Sequence, residues 1–259
     1  MTRGLQRTTF NRSGLVRLLS DTTPEVIDPK YDFGERLGQW LDFSDALALF
    51  SVLNQTAGPG TSTVPGTQAA ALSAQLHRVR GQLGTAILAD GVFNDSGDDP
   101  APRHRFPTPL PGASAEAAAD YAPCHRYYLA HQRNMSSALA ALRNNARKAM
   151  QQGSPAQRQL AELDAGFDRI LASRERTLLA NIPILLARRH AQRYQEHQQA
   201  LPPGSEDDPA SWTQPGSWLE AFCQDTQAVL LAELDLRLKP VAGLIAALGE
   251  AEPHTDTEQ

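Results

Sequence analysis

Two long amphipathic runs meet at "QGSPAQRQL" (152–160), and this junction limits the architecture more than any other feature of the chain. Ser154 stands where an N-cap would, with Pro155 at the first helical position and Gln157 three residues after the cap. A serine oxygen can accept from the N–H of Gln157 while the Gln157 side chain accepts from the serine N–H, so two orphan donors are satisfied together. Beyond it Leu160, Leu163, Phe167, Ile170, Leu171, Leu178, Ile182 and Leu185 recur at three- and four-residue intervals, which is helical spacing. Residues 114–152 show the same periodicity upstream. Only two or three residues around Gly153 separate the runs, so they must fold back as an antiparallel hairpin.

The hairpin is expected over 114–152 and 154–199. Pro123 either opens or kinks the first arm. Pro183 is expected to kink the second, because its ring clashes with the carbonyl four residues earlier. A second capping pattern, Ser217 with Glu220, opens a third long helix over 217–249 with a bend at Pro240. Shorter helices are expected near 12–21, 31–41, 44–55 and 68–90. The second and third of these meet at a corner that Asp42 or Ser44 caps. Aromatics make up only 6% of the chain while Ala and Leu abound, which favours helix over strand. The expected fold is all-α: an elongated bundle of the hairpin, the third long helix and shorter N-terminal helices.

The organisation follows from the breaks. Residues 1–93 form an N-terminal helical part, and 94–113, rich in Pro and Asp, reads as a flexible linker. Residues 114–250 form the long-helix bundle with an acidic loop at 201–216, and 251–259 form a disordered tail. The whole is expected to act as one cooperative domain. No apolar run approaches the roughly 20 residues that cross a bilayer, so membrane insertion is not expected. The basic start lacks the apolar stretch of a signal peptide. Two cysteines, Cys124 and Cys223, are too few for a disulfide framework and read as buried thiols. The expected location is the cytoplasm.

Chemistry-bearing side chains are densest in "PCHRYYLAHQRNM" (123–135). On a helix Cys124, Tyr128 and His131 share a face, while His125 points about 100° away. Cys124 and His131 lie roughly 10 Å apart along the axis, too far to hold one zinc ion from a straight helix. Cys124 and His125 point too far apart for a nucleophile pair, and no third residue orients the histidine. A thiol or metal enzyme centred on Cys124, His125 and His131 is therefore the weakest reading. Neither a catalytic motif nor a cofactor or metal signature is found, so an enzyme is not expected. Trp40, Asp45, Cys124, His125, Tyr128, His131 and Arg133 are instead candidates for packing or partner contact.

Charge is unevenly spread. Residues 123–200 carry 12 Lys/Arg against 5 Asp/Glu, whereas 201–259 carry 2 against 11. Arg174, Arg188, Arg189 and Arg193, with Arg176 and His190 nearby, form a candidate basic face that could neutralise phosphates. Aromatics on that stretch are few, so no base-stacking platform is evident. The competing reading pairs these arginines with acids such as Glu175, Glu196, Glu233 and Asp235.

Three blocks, "GERLGQWLDFSDALAL" (34–49), "PCHRYYLAHQRNM" (123–135) and "LLAELDLRLKPVAGLIAAL" (230–248), resemble an uncharacterised proteobacterial family of unknown function. The resemblance supplies no catalytic residues. It implies a cytoplasmic accessory to an envelope assembly. The expected function is a non-enzymatic helical scaffold or adaptor that binds proteins, envelope-associated ones or a second copy of itself. A nucleic-acid-associated protein is the alternative.

Overall fold

The computed structural model describes residues 14–22, 39–54, 66–94 and 104–249. Among these the secondary structure is helical, with no strand. The helices are α1 (Gly14–Thr22), α2 (Phe43–Asn54), α3 (Gly66–Leu88), α4 (Ala115–Ala118), α5 (Ala122–Gln151), α6 (Pro155–Leu179), α7 (Ile182–Ala200) and α8 (Trp218–Gly249), with a 3-10 turn at Pro209–Thr213. The fold is all-α. The expected 31–41 helix lies outside the described residues except at its end, as do the first part of the 94–113 linker and the 251–259 tail.

The local signals act as their chemistry dictates. Ser154 N–H donates to Gln157 Oε1 at 2.9 Å and Gln157 N–H donates to Ser154 Oγ at 3.3 Å, which is the reciprocal box that starts α6. At the second site Ser217 Oγ accepts from Glu220 N–H at 3.2 Å, but the Glu220 carboxylate takes the N–H of Gly216 rather than that of Ser217. Asp42, not Ser44, caps α2: its Oδ1 accepts from Asp45 N–H at 2.7 Å and from Ser44 Oγ at 2.7 Å.

Proline marks a break in each expected arm. The 154–199 arm is helical almost throughout, and its kink takes the form of a short interruption just before Pro183. α6 stops at Leu179, a turn at 180–181 intervenes, and Pro183 stands in the first turn of α7. Proline lacks an N–H to donate and sterically opposes the residue 179 carbonyl, so the helix restarts where the first-turn donor is not needed. Likewise 114–152 splits into α4 and α5, and Pro123 opens α5 rather than kinking it. Pro240, by contrast, lies inside α8, which continues through it.

The chain divides into two compact units. The described parts of one are 14–22, 81–94, 104–136 and 177–236; those of the other are 39–54, 66–80, 137–176 and 237–249. The second unit is cored by Ala69, Leu72, Leu142, Ala146, Ala149, Met150, Ala161, Val241, Leu244, Ile245 and Leu248. Each large aliphatic member stabilises by about 1.5–3 kcal/mol relative to exposure. Small Ala positions on α5 and α6 let the arms approach. Antiparallel register is set by Arg143 and Arg147 on α5, which both grip Asp164 and Asp168 on α6 at 2.6–2.9 Å. Nearer the turn, Gln151 meets Glu162 at 3.5 Å. Gln157 also donates toward the carbonyls of Ala247 and Leu248 near the end of α8, at 3.4 and 3.3 Å.

The first unit gathers α5 up to residue 136, α7, α8 up to residue 236 and the segment after 104. Part of the expected linker is held in it. Phe106 is buried, its N–H donates to the Asp90 carbonyl at 2.9 Å, and Arg105 donates to the Gly91 carbonyl at 2.8 Å. A phenylalanine in a proline-rich stretch can still anchor it if a pocket of aromatics receives the ring. The acidic 201–216 loop is similarly anchored by buried Trp212, whose Nε1–H donates to Asp207 at 2.8 Å.

Candidate functional site

The dense stretch 123–135 forms the first turns of α5 in the first unit. Cys124, Tyr127, Tyr128, His131 and Gln132 are buried, while His125 is half-buried and Arg133 exposed. Tyr128 O–H donates to Glu233 Oε2 at 2.7 Å, across 105 residues of chain. The Gln132 amide donates to both Glu233 oxygens at 3.0 and 3.1 Å and to the Leu179 carbonyl at 3.2 Å. Glu233 is itself fully buried. A buried carboxylate is tolerated only where donors replace lost water, and this network locks α5 to α8 at one register. Its place in an acidic stretch makes Glu233 look like a surface partner for the basic face; the fold turns it inward instead.

A second buried carboxylate, Asp90, closes the end of α3. Its Oδ1 accepts from the N–H groups of Val92, Phe93 and Asn94 at 2.7–3.3 Å, and its Oδ2 accepts from Gln227 at 3.0 Å. Gly91 at φ +69° makes the tight turn possible. Asp90 is not among the sequence candidates. The signal it carries is an Asp-Gly pair directly after an apolar helix.

Around these networks lies a cluster of rings. Tyr121, His190 and Phe222 sit within 4.9–6.3 Å of one another by centroid, and Trp218 reaches His190 at 5.1 Å. Trp212, Trp218 and Tyr194 close on each other at 5.0–5.5 Å. The rings meet mostly edge to face or tilted, so the cluster is filled with its own side chains rather than open to a flat ligand.

The electrostatics argue against reactive chemistry at Cys124. Burial, with Asp120 nearby, pushes its thiol up to about 12, and burial likewise pushes Cys223 up. A nucleophilic or metal-binding cysteine needs the thiolate, which this site disfavours. His125 is stacked on Tyr121 at 6.1 Å. His131 lies against Tyr127 at 4.6 Å and His104 at 5.3 Å, and burial followed by the His104 neighbour lowers it to about 4. No group of three or more His, Cys, Asp or Glu side chains is placed to hold a metal ion among the described residues.

The arginines of the expected basic face fall in two units. Arg174 belongs to the second unit, while Arg188, Arg189 and Arg193 belong to the first. Arg189 and Arg193 both reach Asp225 on α8, at 2.8 and 3.1 Å. Arg176 donates to its own helix at Ala172. Asp225 on the last helix is thus the acidic partner of Arg189 and Arg193, and it was not among the acids expected; Glu175 pairs with Arg237 at 3.4 Å.

The remaining candidates, Trp40 just before α2 and Asp45 in its first turn, lie in the second unit, and there the structure shows what the sequence did not. Asp45 is half-buried at the first turn of α2, its Oδ2 accepting from Asp42 N–H at 3.4 Å. Trp40 is half-buried just before it. From Ala46 to Asn54 the helix carries no charge, and Leu49 is its buried residue. Phe43 is 84% exposed, Leu47 56%, Phe50 62% and Leu53 57%. At 100° per residue these four fall, with Ala46, in a stripe about 120° wide. The helix is held from its other side: Leu49 rests on Gly166 of α6, and Gln159 donates to the carbonyls of Val52 and Leu53 at 3.2 and 3.0 Å.

These features define an all-α protein whose dense polar stretch is a buried structural network and whose α2 presents an apolar face outward. The chain belongs to the family described as "Protein of unknown function (DUF3348)", whose family model matches residues 1–250. No curated protein and no solved structure matches the chain.

Proposed function

We propose that this protein is a non-enzymatic helical scaffold that binds protein through the outward face of α2. The observation that carries the reading is the stripe Phe43, Leu47, Phe50 and Leu53, more than half exposed at every position. A helix with no charge over two turns is expected to be covered on both sides, because exposed phenylalanine and leucine gain from leaving water. Buried thiols at Cys124 and Cys223 fit a reducing compartment, which favours the cytoplasm. An envelope-associated partner fits the family resemblance. Nucleic acid fits less well, because Arg189 and Arg193 are already engaged by Asp225, which offsets part of their charge.

A photo-crosslinking residue placed at Ser51, exposed beside the stripe, tests the reading in the native cell. Discrete protein adducts that disappear when Phe50→Asp is added are the expected result. Adducts that are absent, or that persist unchanged with Phe50→Asp, would sink it.

A further inference from the structure

We infer that the occupant of the α2 face is a second copy of the same chain, with two α2 helices packed antiparallel about a two-fold axis. The inference rests on the protein-binding reading of that face and names its partner. Three features of the stripe point to self-pairing.

The first is shape. In an antiparallel pair whose axis passes between Leu47 and Phe50, Leu47 of each copy faces Phe50 of the other, and Phe43 comes within one residue's rise of Leu53. Each phenyl ring then meets a leucine, and Ala46 leaves room for the backbones to approach. A two-fold interface needs this self-complementarity, since the same patch serves both sides. The stripe has large and smaller members at the positions that the symmetry would bring opposite one another.

The second is charge. The stripe itself is uncharged, and the acids near it, Asp42 and Asp45, sit together at the N-terminal end of α2. Parallel pairing would set the acids of both copies side by side and align the two helix dipoles. Antiparallel pairing separates them by about 10–20 Å along the axis, which exceeds the ~8 Å screening length at physiological salt. It also opposes the dipoles. Between Ala46 and Asn54 there is no charged side chain to select a partner of opposite sign.

The third is area. At the exposures observed, the four side chains leave on the order of 500–600 Å² open, given roughly 150–250 Å² for a whole aromatic side chain. Pairing hides the same patch twice, ~1,100 Å², which with the helix rims reaches the ~1,200 Å² lower bound of stable interfaces. A modest, reversible dimer is the consequence.

The test uses the full-length protein in sedimentation velocity over a wide concentration range. Wild type is expected to pass reversibly from monomer to dimer. Leu47→Asp and Phe50→Lys are each expected to weaken the dimer at least ~100-fold, since each buries an unpaired charge at the axis. Far-ultraviolet circular dichroism checks that both remain helical. Mixing the two variants supplies the decisive arm. In the proposed register the carboxylate introduced by Leu47→Asp in one chain would face the ammonium introduced by Phe50→Lys in the other. The second Leu47–Phe50 contact stays native in that pair, so a heterodimer should form where neither variant self-associates. Dimers that survive Leu47→Asp, or a mixture that stays monomeric beside a dimeric wild type, overturn the antiparallel pairing. A wild type that stays monomeric throughout also overturns it. The Ser51 crosslinks then separate the two ideas: adducts with a different protein leave the scaffold reading standing, and adducts that are absent end both.

Discussion

Tyr128 shows how a single side chain changes meaning between sequence and fold. As a residue of a Cys/His-rich stretch it suggested chemistry; in place it donates a 2.7 Å hydrogen bond to the fully buried Glu233. Removing only its oxygen leaves a buried carboxylate oxygen short of a donor, at a cost of about 1–3 kcal/mol. Tyr128→Phe should therefore lower the melting temperature by ~2–12 °C, at about 2–4 °C per kcal/mol for a chain of this size. Differential scanning calorimetry checks it; an unchanged melting temperature would mean that Glu233 does not depend on this bond. The residues around Tyr128 carry no information about that partner, which lies 105 residues away.

At the scale of the helix, local chemistry is sufficient wherever the partners are close in sequence. The Ser154–Gln157 box and the Asp42 cap each act within three residues; the box is legible in the amino-acid order alone, while the order leaves the α2 cap between Asp42 and Ser44. Ser154→Ala should destabilise by about 0.5–2 kcal/mol. In urea titration the midpoint should fall with the slope unchanged, since the same surface is exposed on unfolding. A changed slope, or an unmoved midpoint, would show that the cap is not what starts α6. Proline is legible as a break but not as a kind of break. Pro183 begins a new helix whereas Pro240 is carried inside α8, and that difference depends on what else can satisfy the freed backbone groups.

For the molecule as a whole, two buried histidines make stability depend on pH. His131 faces His104 and Tyr127; His190 faces Tyr121, Trp218 and Phe222, with Asp120 near enough to favour its charge slightly. Burial dominates at both and lowers each to about 4 from an ordinary 6.5. Between those values the unfolded chain binds protons that the folded chain refuses. Stability from these groups is complete above about pH 6.5 and is lost as pH falls toward 4, by up to ~1.4 kcal/mol per pH unit for each histidine. Urea unfolding at pH 7, 6 and 5 should show that loss, and His131→Gln should flatten part of it; stability that does not fall below pH 6.5 would contradict the burial argument. What the sequence determined by itself was the helical class, the hairpin and its turn, the caps, and the stripes of apolar residues, because all of these arise from spacing and from neighbours a few residues apart. Tertiary structure alone decided which stripes are covered. Leu142 and Leu47 both lie on helical stretches rich in Ala and Leu, yet one is fully buried and the other more than half exposed. Periodicity reports that a face is apolar; only the packing of distant segments determines whether it is a core or a surface that awaits a partner.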